Sequence, residues 1–222
     1  MIDMQKNTEQ KAGHSSVWLY HFPGTRAVRA RWMLEELALS HVLAHVDLGK
    51  GAHKRADYLA VHPLGKVPAL QIDGTVIFES LAICLYLGDR SGQGEFSPRI
   101  DQRMQRGDYL KWMAFSTGTL EPAIIEQSRQ KIARQKNIEP IHMGSALTPF
   151  ENAASFVEQT LVEQPFLLGD PFSAADIMNG SLMMWANGEE LLGSYPAIRN
   201  WIEKLITRPA YQRATRLDPE GQ

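Results

Sequence analysis

A lone cysteine, Cys84, is all the thiol chemistry that the 222 residues offer. It excludes an intrachain disulfide, a two-cysteine redox motif and a cysteine-built zinc site. Long apolar runs are missing as well. None reaches the roughly 20 residues of a membrane-spanning helix, and the N-terminal MIDMQKNTEQKAGHSS lacks the apolar centre of a secretory signal. The sequence therefore reads as cytoplasmic, with no membrane partner. Nor is there an excess of one charge: Lys and Arg total 23 against 25 Asp and Glu, which leaves no basic face for nucleic acid. The histidines (His14, His21, His41, His45, His53, His62 and His142) are scattered, with no HExxH pair and no carboxylate cluster at ligand spacing. No metal site is expected from them.

What is present suits one or two globular domains, since 44% of the residues are hydrophobic. Residues 1–16 are polar and read as a mobile tail. Val17–Tyr20 (VWLY) is a short β-favouring run closed by HFPG. After it Ala27, Ala30, Leu34 and Leu37 recur at helical spacing, with charged residues on the other faces. Val42–Leu48 supplies a second strand, which a strand–helix–strand unit pairs in parallel with the first. PALQI and TVIF flank Asp73-Gly74, the strongest short hairpin signal, and a helix follows from about Glu79 to Asp89. The order is β-α-β, a connection, then β-β-α: a small mixed sheet with helices on it. SGQGEFSP (Ser91–Pro98) reads as a linker, beyond which strand signals stop and long helical patterns begin. The expected layout is a sheet domain over 17–90, a linker over 91–97 and an all-α domain over 98–222. One helix start in the second domain is sharply marked. In FSAADI, Ser173 is an N-cap, Asp176 its reciprocal partner, and Phe172 and Ile177 form a hydrophobic staple. Glu126–Pro140 reads as a solvated helix end with a loop.

Pro68, in HPLGKVPALQIDGTVIFES, stands at the head of an otherwise buried strand although it has no N–H for a ladder. It either merely starts the strand or does something more. PGTRAVRARWMLEEL (Pro23–Leu37), GKVPAL (Gly65–Leu70), FES (Phe78–Ser80) and FSAAD (Phe172–Asp176), in this order and spacing, resemble the cytosolic glutathione S-transferases, in particular the bacterial and fungal members with a serine or threonine at the first turn. The resemblance runs from Val17 to about Arg213. It implies a thioredoxin-like N-terminal domain, an all-α C-terminal domain, glutathione as co-substrate and a homodimer.

The resemblance also gives roles to residues. It implies a cis bond before Pro68, leaving the Val67 N–H and C=O to pair with the cysteinyl backbone of glutathione as a short added strand. Glu79 would meet the γ-glutamyl ammonium and Ser80, at a helix N-terminus, its carboxylate; both are also ordinary helix-cap residues. Lys66, helped by His53 or Lys54, would face the glycine carboxylate. Thr25 lies where similar members carry serine, so its hydroxyl would donate to the glutathione thiolate. Tyr20 is the second candidate donor, with packing as its other explanation, and Arg26 would add positive potential. Trp112, Met113, Phe115 and Ser116 stand at the expected electrophile pocket and at core-packing spacing alike. The implied activity is conjugation of glutathione to small, mostly apolar electrophiles. A non-catalytic glutathione-binding, ligand-binding or protein-interaction member of the same fold is the alternative.

Overall fold

Trp18–His21 forms strand β1, which lies between two partners and buries Leu19, Tyr20 and His21. The structure, a computed structural model, describes residues 17–92, 94–139 and 148–217. The tail expected over 1–16 lies outside the described residues, as do Gln93 of the expected linker and the last residue of the Glu126–Pro140 stretch.

Helix α1 (Ala27–Glu36) follows β1 and buries Ala27, Ala30, Met33 and Leu34, an i, i+3, i+6, i+7 stripe. Strand β2 (Val42–His45) runs parallel to β1 in the register Trp18 to Val42 through His21 to His45. The connection to the next strand carries a single 3₁₀ turn, Ala52–Lys54, and a short helix α2 (Ala56–Leu59). Strands β3 (Ala69–Ile72) and β4 (Thr75–Phe78) form the hairpin that Asp73-Gly74 predicts, both turn residues having positive φ, 51° and 75°. β3 pairs antiparallel with β1, so the four-stranded mixed sheet has the order β2-β1-β3-β4. This is the thioredoxin-like arrangement. Helix α3 spans Ser80–Arg90.

The remaining elements are helical. α4 (Arg103–Phe115) passes through a π-helical segment, Ser116–Leu120, into α5 (Glu121–Lys136), which Asn137 closes in the left-handed conformation. The Glu121 N–H donates to the Ser116 carbonyl, five residues back, which defines the π segment. Where it leaves α4, the Ser116 hydroxyl donates to the Met113 carbonyl at 2.6 Å, and the Asn179 amide donates to the Trp112 carbonyl at 3.1 Å. α6 (Phe150–Glu163), α7 (Ala174–Gly188), α8 (Pro196–Ile206) and α9 (Pro209–Ala214) follow among the described residues. α7 is buried around most of its circumference and is the central helix of this part. It starts where FSAAD places it: Ser173 accepts from Ala175, and Asp176 accepts from Ser173 N–H and hydroxyl, with Phe172 and Ile177 both buried. Asp176 also accepts the Leu167 N–H at 3.0 Å, and its complete burial pushes its carboxyl up to about 6.

The chain divides into two compact units, Met1–Ile83 with Arg213–Gln222, and Cys84–Gln212. The division falls inside α3, earlier than the linker suggests. The return of residues past Arg213 to the first unit is held on α1. Arg213 Nε donates to Glu35 at 2.6 Å, and Arg31 donates to the Arg216 carbonyl at 3.0 Å.

Candidate functional site

Sheet register alone gathers the chemistry of the first unit. Ala69, the first residue of β3, is paired on one side with Tyr20, near the end of β1, and on the other with Phe78, the end of β4. Because β2 is parallel to β1, it also leaves the sheet at that end. The turn holding Thr25, the Val67-Pro68 bond, Glu79-Ser80 and the segment holding His53 therefore all emerge from one end of the sheet.

The Val67-Pro68 peptide is cis. Proline cannot donate, and the ladder begins only at Ala69, so neither the N–H nor the C=O of Val67 has a main-chain hydrogen bond among the described residues. The carbonyl just before it is fixed: the Tyr58 hydroxyl donates to Lys66 O at 2.5 Å, and burial holds the Tyr58 phenol well above its ordinary range. Two residues earlier the chain turns at Gly65, with φ 57°, where a Cβ would fall on the His53 carbonyl oxygen. Only glycine fits that approach. Lys66 itself is exposed, as is Lys54, whereas His53 is half-buried with its Nδ1 lacking a hydrogen-bond partner.

Glu79 is exposed and has φ 71°, a left-handed conformation that costs an ordinary side chain about 1–3 kcal/mol. The turn swings the chain from β4 into α3, where Ser80 is buried in the first turn. Its oxygen accepts from Arg29 Nη1 of α1 at 3.3 Å. His62, also buried, packs at a tilt against Phe78 at 4.6 Å and accepts the Leu64 N–H through Nδ1, with burial lowering its pKa. Thr25 caps its own turn: its hydroxyl donates to the Phe22 carbonyl at 2.6 Å and accepts the Ala27 N–H at 3.3 Å. Arg26 is exposed beside it at the start of α1. Tyr20 points the other way, into a core of Val46, Tyr58, Val61 and Ala69, and donates to Gln71 at 3.2 Å. Burial raises its pKa.

Trp112, Met113, Phe115 and Ser116 lie in the second unit, at the end of α4 and the start of the π segment. Trp112, Met113 and Ser116 are buried, Trp112 being stacked on Phe156 at 4.8 Å and 18°, while Phe115 is half-buried. Arg29, Tyr58 and His62 are the polar groups of the sheet end that the sequence reading did not single out. Only their place within the PGTRAVRARW and ADYLAVHPLGK stretches could have pointed to them, because Arg29 and Ser80 are 51 residues apart.

The family model for the glutathione S-transferase N-terminal domain matches residues 15–89. The chain is 30% identical over 204 residues to the disulfide-bond oxidoreductase YfcG of Escherichia coli (strain K12), covering 88% of this chain and 93% of that one. It is 26% identical over 202 residues to the glutathione S-transferase hmp2 of Hypomyces subiculosus, covering 86% and 93%. Among solved structures, a glutathione transferase from Methylococcus capsulatus str. Bath is similar at a TM-score of 0.74 and 29% identity, over 90% of this chain and 97% of that one.

Proposed function

The chain belongs to the glutathione S-transferase family, and on that premise we propose that it binds glutathione at the sheet end of its first unit and transfers the tripeptide's thiolate to a small, mostly apolar electrophile. The observation that carries this reading is the Val67 N–H and C=O, left outside the sheet ladder beside cis-Pro68. A donor and an acceptor in that arrangement suit the backbone of an added extended peptide. Ser80 and the first turn of α3 take the γ-glutamyl carboxylate, Glu79 the ammonium, and Lys66 with His53 the glycine carboxylate.

A free glutathione thiol, like cysteine, has a pKa of about 8.5. The Thr25 hydroxyl lowers it by turning its proton from the Phe22 carbonyl toward sulfur, and the exposed guanidinium of Arg26 adds positive potential. The thiol proton leaves to solvent. The thiolate then forms a carbon–sulfur bond as the electrophile's leaving group departs with its electron pair. Trp112, Met113, Phe115 and Ser116 are proposed for the electrophile side, Phe115 being the one whose ring is part-exposed. The same reading makes the protein a homodimer, supported by large apolar side chains left exposed: Ile100 at 82% and Met104 at 85% in the second unit, and Val76 and Phe78 on the edge strand β4. A monomer mass in sedimentation would overturn that part.

A second reading is supported by the relative named as a disulfide-bond oxidoreductase. Cys84, the chain's one cysteine, is buried, so the thiols for such an exchange would come from glutathione, two of them oxidised for each disulfide reduced. One experiment separates these readings: calorimetric glutathione binding, paired with turnover of a chloronitrobenzene and of a small disulfide. Conjugation whose apparent thiol pKa rises in Thr25→Val supports the transferase. Disulfide turnover alone favours the second reading, and binding without either makes the chain a glutathione-binding protein.

A further inference from the structure

We propose that Arg29 is a positioning residue for the γ-glutamyl carboxylate, because its guanidinium obliges the Ser80 hydroxyl to point its proton at the ligand. The inference rests on the glutathione reading above. Arg29 is 4% exposed and Ser80 6%, and Nη1 lies 3.3 Å from the Ser80 oxygen. A guanidinium carries several N–H donors and no acceptor, and it does not deprotonate in proteins. In this contact, therefore, Ser80 can only accept.

Its own O–H proton must go elsewhere, and it donates to no acceptor among the described residues. A buried donor left unspent is unusual and costly. Here it sits in the first turn of α3, where main-chain N–H groups and the helix dipole favour an anion. A carboxylate arriving there meets a hydroxyl already set to donate, with a buried positive charge behind it. Arg29 thus acts on the ligand through Ser80, as an orienting group with no need to touch it.

The donor-only character of Arg29 supplies the test. Lysine is also donor-only, whereas glutamine brings a carbonyl that can capture the Ser80 proton. The readout is the preference for glutathione over 4-aminobutyryl-cysteinyl-glycine, the same tripeptide without the γ-glutamyl carboxylate, measured calorimetrically. The wild type should prefer glutathione by about tenfold or more, the scale of one charge-assisted hydrogen bond. Arg29→Lys should keep that preference, Arg29→Gln should lose it to the level of Ser80→Ala, and Arg29→Gln added to Ser80→Ala should change it no further. A role confined to packing would treat the two Arg29 variants alike. Equal retention in Lys and Gln, or a preference intact in Ser80→Ala whether or not the Arg29 variants fold, overturns the inference. Failure of the wild type to bind glutathione overturns the reading beneath it as well, and the two failures are thereby told apart.

Discussion

In the first unit the candidate groups are polar and held in place by main chain: those of Val67 by the start of a ladder, Ser80 by a helix turn, Thr25 by the Phe22 carbonyl three residues earlier. In the second unit all but Ser116 are apolar, and the rings hold one another, with Trp112 stacked on Phe156 and Phe115 edge-on to both rings. A site built on backbone groups is fixed by register and tolerates little change of residue. A pocket built from packed rings is set by which side chains remain uncovered, and the same helix can offer many shapes. The two sets of candidate residues are thus made from different materials.

The largest expected effect tests the second material. Trp112→Ala should cost about 3–5 kcal/mol in denaturant unfolding, as removal of a buried aromatic does, while glutathione affinity of the folded protein stays put. An affinity that fell with it would break the contrast between the units. Next comes Asp176→Asn, which disturbs acceptors for two buried N–H groups and should cost about 2–3 kcal/mol. Burial raises this carboxyl to about 6, so the native state holds its proton more tightly than the unfolded chain. The contribution of this carboxyl to stability should therefore be fullest below about pH 4 and decline as the pH rises through about 6. That slope should vanish in Asp176→Asn, and an unchanged slope would assign it to another group.

Glu79 sharpens the comparison from the other side. Glu79→Ala should weaken glutathione binding by roughly tenfold to a hundredfold, the range of hydrogen bonds to charged groups. Glu79→Gly should lose the same affinity without losing stability, because φ 71° is a conformation that glycine adopts freely. Calorimetry beside denaturant melts would show a destabilised glycine variant if the left-handed turn were unstrained. Smallest is Tyr20→Phe, which deletes one hydrogen bond to Gln71 and should cost about 1 kcal/mol or less with no change in the pH–rate profile. A shifted profile would move thiolate stabilisation from Thr25 to Tyr20.

Much of the first unit was legible in the sequence because its signals are local. Asp73-Gly74 specifies a hairpin, an apolar run beside HFPG specifies a strand, and the spacing of Ala27, Ala30 and Leu34 specifies α1. FSAAD carried its helix start within a handful of residues for the same reason. What stayed hidden depends on distant partners or on hydrogen-bond slippage. Arg29 reads as one more charge on an amphipathic helix until Ser80 is brought to it. Tyr58 reads as a core aromatic until its hydroxyl finds Lys66 O. The π segment at Ser116–Leu120 leaves no periodic mark, since one extra residue per turn over so short a stretch barely shifts the apolar pattern. α3 likewise looks like a single helix of one domain, although its residues divide between the units at Ile83 and Cys84.

The return of the chain at Arg213 has a consequence for how the protein can be shortened. Every strand of the sheet is made by Phe78, yet Glu35 and Arg31 on α1 take their long-range partners from residues encoded more than a hundred codons later. A premature stop just before Arg213 would spare every strand and all but the end of the last helix, and still strip the clasp from the oldest part of the nascent chain.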